Sequence, residues 1–287
     1  MIDLHTHSSA SDGEYSPSQV VFFAAEKGLS VIALTDHDTV QGLDEASAAA
    51  AEKNITFIKG IEININRAKG EFHLLGLGLD TVSTSLLNLT QRLQDDRNER
   101  NRSIIESMKA DGYSVDYGEM ESLFPGQSIG RPHIAGYLVQ KKIVKRRQQA
   151  FDRFIGHGRP YYQSKQGAEL GEAVLAITES GGIPVIAHPL SLYVSWGKME
   201  AALTELHEAG VLGLEAWHPG AKFSACRRLE EMARKIGFFI TAGSDFHGEA
   251  IRADRKLGHT AGKIEIADSY WTEELLPAIR SRREKLS

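Results

Sequence analysis

SPSQVVFFAAEKGLSVIALTDHD, residues 16–38, decides the fold. Pro17 suits the first position of a helix, where its missing N–H leaves no hydrogen bond unmade, and Gly28 suits the residue that ends it. VIALT at 31–35 is then a short, unbroken apolar run, the signature of a strand covered on both faces. Asp36 and His37 follow at its carboxyl end. A helix feeding a buried strand is the repeating unit of a (β/α) barrel, and polar side chains at the strand's carboxyl end fall on the face where such barrels carry their sites.

The unit recurs along the chain. A helix over about 42–53 precedes ITFIKGIEI, and helices near 168–180, 198–209 and 223–236 precede IPVIA, VLGLEAW and FFITAG. TEELLPAIRSRREK closes the chain as a helix. His37, Glu62, His188 and Asp245 fall at or just after the ends of four of these strands, the face on which barrels carry their active sites.

Those four belong to a larger set: His5 and His7 in DLHTH, Asp12, His37 in TDHD, Glu62 in GIEI, His73 in EFHLLG, His188 in IAHP, and Asp245 and His247 in GSDFH. Imidazole suits Zn, Mn, Fe and Ni, and carboxylates add hard oxygen donors that can bridge two ions. A single catalytic zinc takes about three protein ligands, so six histidines and three carboxylates fit two or three divalent ions better. Mn is the first expectation, with Zn or Fe as alternatives. Asp36 and Asp38 flank His37 as turn residues or as partners that orient it. GLGLD at 76–80 lacks the third glycine and the helix start of a dinucleotide fingerprint, which excludes that reading.

The composition is that of an ordinary soluble globular enzyme, with 41% hydrophobic and 25% charged residues. A net charge of −5 excludes a general polyanion-binding surface, so a phosphorylated partner must be met by a local basic site. The one cysteine, Cys226, cannot pair within the chain, which suits a reducing compartment. No signal-peptide pattern opens the chain and no apolar run reaches the roughly 20 residues that span a bilayer. The expectation is a cytoplasmic protein with no membrane partner.

Residues 84–165 differ from the rest: long, charged helical patterns with no convincing strand. They predict a helical insertion over the C-terminal face of a barrel formed by 1–83 and 166–287. The charges between Arg92 and Arg102 alternate in sign, as on a solvated helix face.

His5-Thr6-His7, Thr35-Asp36-His37, Ala187-His188-Pro189 and Ser244-Asp245-Phe246-His247 together resemble the four motifs of the polymerase and histidinol phosphatase (PHP) superfamily. The resemblance implies a distorted seven-stranded (β/α) barrel. GRPHIAGYLV at 130–139 and HGRPYY at 157–162 are similar to a branch of small bacterial members that remove the 3′-phosphate of nucleoside 3′,5′-bisphosphates or trim short RNA from its 5′ end. On that resemblance His5, His7, Glu62 and Asp245 hold one metal, Glu62 bridges to a second held by His73 and His188, and Asp12, His37 and His247 hold a third.

The expected activity is therefore a metal-dependent phosphoesterase acting on a small phosphorylated nucleotide, or on short single-stranded RNA. A phosphatase of a small metabolite such as histidinol phosphate is the alternative enzyme, and a metal-stabilised accessory module the non-catalytic one. Gly130-Arg131-Pro132-His133 reads as a helix start, where backbone N–H groups and a guanidinium fork favour an anion, so Arg131 and His133 are candidate contacts for a second phosphate. Arg159 and Lys165 are candidates beside them, and Tyr161 or Tyr162 for stacking a base. His218, in EAWHPG, is the candidate to protonate the leaving oxygen, with a metal-bound water as its rival.

Overall fold

The computed structural model describes residues 1–124, 128–164 and 166–286. Lys165 lies outside the described residues. The chain divides into two compact units, one of residues 1–90 and 167–287 and the other of residues 91–166. Its strands are β1 (Ile2–Asp3), β2 (Val31–Leu34), β3 (Thr56–Ile65), β4 (Phe72–Leu77), β5 (Ile183–Ile186), β6 (Gly213–Trp217) and β7 (Phe239–Ala242). Its α-helices are α1 (Pro17–Glu26), α2 (Leu43–Lys53), α3 (Thr84–Ala110), α4 (Tyr117–Ser122), α5 (Arg131–Gln140), α6 (Arg147–Ala150), α7 (Leu170–Glu179), α8 (Trp196–Glu208), α9 (Phe223–Ile236) and α10 (Leu276–Leu286).

In the first unit the seven strands form one sheet in chain order. The sheet nearly closes into a barrel where Thr6 bridges to Phe246: His7 N–H donates to the Phe246 carbonyl and Asp245 N–H to the His5 carbonyl, both at 2.9 Å. The apolar runs of β2 and β5 are buried throughout, as strands covered on both faces must be. Helix α1 starts as expected, with Pro17 in its first turn and a reciprocal cap between Ser16 and Gln19.

The alternation of strand and helix breaks once. β4 runs antiparallel to both β3 and β5, joined to β3 by a hairpin rather than a helix. Gly70, with φ at +77°, makes that turn, and a side chain there would meet the Ser191 carbonyl oxygen at 2.5 Å. The reversal has a functional consequence. The first residues of β4 lie at the barrel end where the parallel strands finish, so His73, opposite Asn64, reaches that face from the start of its strand. Glu62 lies within β3 rather than past it, because β3 continues to Ile65 to pair with β4.

The barrel seam is held by a buried carboxylate. Asp3 is fully buried and accepts from the backbone N–H groups of Gly258 (2.7 Å), Ser244 (3.0 Å) and His5 (3.3 Å). Burial pushes its carboxyl up to about 6, against the opposing pull of those hydrogen bonds.

In the second unit every described element is helical. Ile104, Ile105 and Met108 of α3 pack with Tyr137 and Leu138 of α5 and with Phe154 of a π-helical turn, Phe151–Ile155. Tyr137 is fully buried, but its hydroxyl donates to Glu119 and accepts from the Asp116 N–H, each at 2.9 Å. Among the described residues no helix is long and apolar enough to cross a membrane.

Asp3→Ala leaves three buried backbone donors without an acceptor, at about 1–3 kcal/mol each. Chemical denaturation is expected to show a loss of about 3 kcal/mol or more, and a loss below about 1 kcal/mol would show that the seam does not depend on this carboxylate.

Candidate metal centre

The first unit brings all nine expected ligands to one end of the barrel. Glu62 is fully buried at their middle. Its Oε2 lies 3.3 Å from His5 Nε2, 3.2 Å from His7 Nε2 and 3.0 Å from His37 Nδ1, while Oε1 lies 2.9 Å from His73 Nδ1 and 3.0 Å from His188 Nε2. Asp245 Oδ1 faces His7 Nε2 at 3.4 Å and His247 Nδ1 at 3.5 Å, and Asp12 Oδ1 faces His247 Nε2 at 3.3 Å. Four groups emerge whose ligand atoms lie within 4.8 Å of one another: His7, Asp12, His37 and His247; His5, His7 and Asp245; His5, Glu62 and His188; His37, Glu62 and His73. Glu62 serves two of them, and His73 and His188 fall in different ones.

The local backbone is bent to deliver these side chains. His188 and Asp245 hold φ at +26° and +54°, left-handed values uncommon outside glycine. Gly243 allows β7 to approach β1, since a Cβ there would lie 2.3 Å from His5 Cβ and 2.6 Å from Glu215 Oε1. Asp36 accepts from Ser8 N–H and from both Ser8 and Ser11 hydroxyls, fixing the loop that carries Asp12. Asp38 accepts from Asn64 N–H at 2.9 Å, locking the His37 loop to β3.

Hydrogen-bond partners behind the rings settle which nitrogen faces the centre. His5 Nδ1–H points to Glu215 Oε1 at 2.9 Å, leaving Nε2 as the bare donor atom. His247 Nδ1–H donates to the Asp245 carbonyl at 2.9 Å, which leaves Nε2 toward Asp12. Ser191 gives its hydroxyl hydrogen to the Glu71 carbonyl and so accepts from His188 Nδ1–H, which leaves Nε2 toward Glu62. His218 is set the other way. Its Nδ1 accepts from Gly220 N–H at 3.1 Å, so Nε2 carries the hydrogen toward Asp245 Oδ2 at 3.3 Å. His218 thus joins the centre as a donor to Asp245 rather than as a ligand.

The electrostatics agree with a cation site. Burial pushes the Glu62 carboxyl up, but His37, His5 and His73 outweigh it and hold it well below the carboxylate range. Asp245 is likewise held low against its burial, chiefly by His247. Burial lowers His218. His7 Nδ1, Asp12 Oδ1, His37 Nδ1 and Glu62 Oε2 are buried and make no hydrogen bond, although Glu62 Oε2 and Asp12 Oδ1 have imidazole nitrogens within 3.3 Å. Imidazole and carboxylate donors packed in this way could hold metal ions, and the residues fit such a group.

Glu215, which the motif reading passed over, is as buried as the ligands. Besides His5 it accepts from the His188 backbone N–H at 2.8 Å, tying two ligand positions together. A lone carboxylate in the fully buried strand GLEAW is the sequence signal that could have found it.

The other expected contacts lie in the second unit. Arg131 opens α5 with its guanidinium 5.5 Å from the centre of the Tyr162 ring. His133 Nδ1 accepts from Gly130 N–H at 2.9 Å, capping the helix. Arg159 is exposed. Tyr161 does not suit base stacking, because it is buried and its hydroxyl bonds Asp111 at 2.5 Å; Tyr162 is the more open ring.

The PHP domain model matches residues 3–157. Two curated relatives are a 3′,5′-nucleoside bisphosphate phosphatase from Chromobacterium violaceum, 33% identical with 95% of each chain covered, and a 5′-3′ exoribonuclease from Haemophilus influenzae, 34% identical over 85% of this chain and 89% of that one. Among solved structures, an amidohydrolase from Chromobacterium violaceum, with sulfate bound and no metal, superposes with a TM-score of 0.83 at 32% identity, covering 98% of this chain and 96% of that one. A protein from Bifidobacterium adolescentis assigned as a metal-dependent phosphoesterase gives a TM-score of 0.82 at 27% identity, covering 96% and 95%. Barrel, ligand geometry and relatives define a metal-dependent phosphoesterase, a hydrolase of phosphate esters. The chain belongs to the PHP family.

Because Glu215 orients His5 and the His188 backbone, Glu215→Ala is expected to raise the dissociation constant for Mn about 10- to 100-fold, read by titration calorimetry. Unchanged affinity would show that the carboxylate only fills the strand.

Proposed function

We propose that the nine-residue centre holds two or three divalent ions, Mn first with Zn or Fe as alternatives, and hydrolyses phosphate esters of small nucleotides. The substrate class we assign is the nucleoside 3′,5′-bisphosphate, cleaved at its 3′-phosphate, with short 5′-phosphorylated RNA as a second substrate. The observation that carries this reading is Glu62, whose two oxygens are each met by imidazoles from different strands and loops, the arrangement of a bridging carboxylate. The likeness to a bisphosphate phosphatase over 95% of both chains supports the substrate class, and the exoribonuclease relative supports the second substrate.

Divalent ions in such a set supply an acidified water and neutralise charge on the phosphoryl oxygens. The protein's own part is positioning. His5, His188 and His247 are each held from behind, so their donor nitrogens stay aimed without reorganisation. His218 is assigned to the leaving oxygen because its Nε2–H lies at the edge of the candidate ligand cluster, beside Asp245 Oδ2. Arg131 is assigned to the second phosphate, with His133 holding the helix start, and Arg159 and Lys165 as further contacts.

Mn-loaded protein is expected to release phosphate from adenosine 3′,5′-bisphosphate and leave 5′-AMP, far faster than from histidinol phosphate. Preference for histidinol phosphate would assign it to small-metabolite chemistry, and silence on every ester would contradict the enzyme reading. Arg131→Ala is expected to raise KM about 10-fold or more for the bisphosphate with little change for an aryl phosphate. Equal changes on both would remove Arg131 from the substrate. His218→Asn is expected to slow cleavage of a nucleoside ester much more than of p-nitrophenyl phosphate, whose leaving group needs no proton. An equal loss on the two would assign the proton to another donor.

A further inference from the structure

Arg255 lies in the loop after β7 and belongs to none of the family motifs. It is 6% exposed, unusual for an arginine whose ion pairs are as long as those it makes here. Its Nε lies 3.7 Å from Asp245 Oδ2, beyond hydrogen-bonding distance, and makes no hydrogen bond. Its other ion pair, at 3.4 Å, is to Asp254, a mostly exposed neighbour in sequence. The guanidinium also lies beside His218: a Cβ on Gly220 would come within 3.0 Å of Arg255 Nη2 and 2.9 Å of the His218 ring. Glycine there lets the guanidinium and the imidazole share one edge of the centre, next to the same carboxylate oxygen.

A buried guanidinium is costly unless its donors meet an anion in good geometry. Asp245 does not provide it, because its Oδ1 faces the imidazoles and its Oδ2 takes His218 Nε2–H. A phosphoryl group carries oxygens spaced to take the guanidinium fork. We propose that Arg255 is a substrate contact at the metal end of the site, its Nε and Nη2 donating to oxygens of the phosphoryl group being transferred. The inference rests on the phosphoesterase reading above and adds to it the side chain that meets the transferred phosphate. It differs from a positioning role through Asp245, which would show first in metal binding.

The test compares Mn-reconstituted wild type, Arg255→Lys and Arg255→Ala in three readouts: metal content per chain, the dissociation constant for inorganic phosphate by calorimetry, and kcat and KM on the bisphosphate and on p-nitrophenyl phosphate. Metal content is expected to stay unchanged. The phosphate dissociation constant is expected to rise about 10-fold or more in Arg255→Ala, and kcat/KM to fall roughly 100-fold on both esters. Arg255→Lys, which keeps the charge without the fork and carries the test if the alanine variant does not fold, should lie between. Added guanidinium ion should restore part of the activity of Arg255→Ala and none in wild type. Unchanged phosphate affinity overturns the proposal, as does loss of metal from either variant, which would make Arg255 a support for Asp245. If wild type binds phosphate through Arg255 yet cleaves no ester, this contact stands and the phosphoesterase reading fails; if wild type binds no phosphate, both fail.

Discussion

Glu62 sets the terms for the rest of the molecule. A carboxylate with no solvent exposure costs several kcal/mol to bury unless positive charge surrounds it. Here the imidazoles of five histidines surround it within 3.3 Å. These rings come from the loop after β1, the loop after β2, the start of β4 and the loop after β5, so the cluster around Glu62 assembles only when the barrel is nearly closed. Folding and site assembly are therefore one event, and cations bound at the centre would stabilise the fold by mass action.

The antiparallel β4 is the structural answer to that constraint. A fourth parallel strand would present its carboxyl end to the centre and need a crossover helix, whereas the hairpin at Gly70 brings His73 there directly from β3. Behind the ligands, Asp3, Glu215 and Ser191 hold backbone and ring positions from the far side. Asp3 and Glu215 are buried as deeply as the candidate ligands they hold in place, which keeps those positions fixed.

Much of this was legible in the chain because chemistry and periodicity coincide. VIALT, IPVIA and FFITAG are strands because unbroken apolar runs of that length have no other stable place, and His37, His188 and Asp245 follow their ends. The orientation of β4 was not legible: EFHLLGLGLD reads as a buried strand, but its direction depends on pairing with β3 and β5. Glu215 and Arg255 were missed for a related reason. Glu215 meets His5 from 210 positions away, and Arg255 comes beside His218, on the loop after β6, only once the barrel is folded. His133 reads as an anion contact in sequence; that its Nδ1 also accepts from Gly130 N–H is visible only in the structure.

The most direct test of the proposal that Glu62 bridges metal ions is anomalous diffraction from crystals grown with Mn. At least two anomalous peaks per chain are expected, with Glu62 Oε1 ligating one ion and Oε2 another. A single peak, or peaks that leave Glu62 unligated, would contradict that proposal.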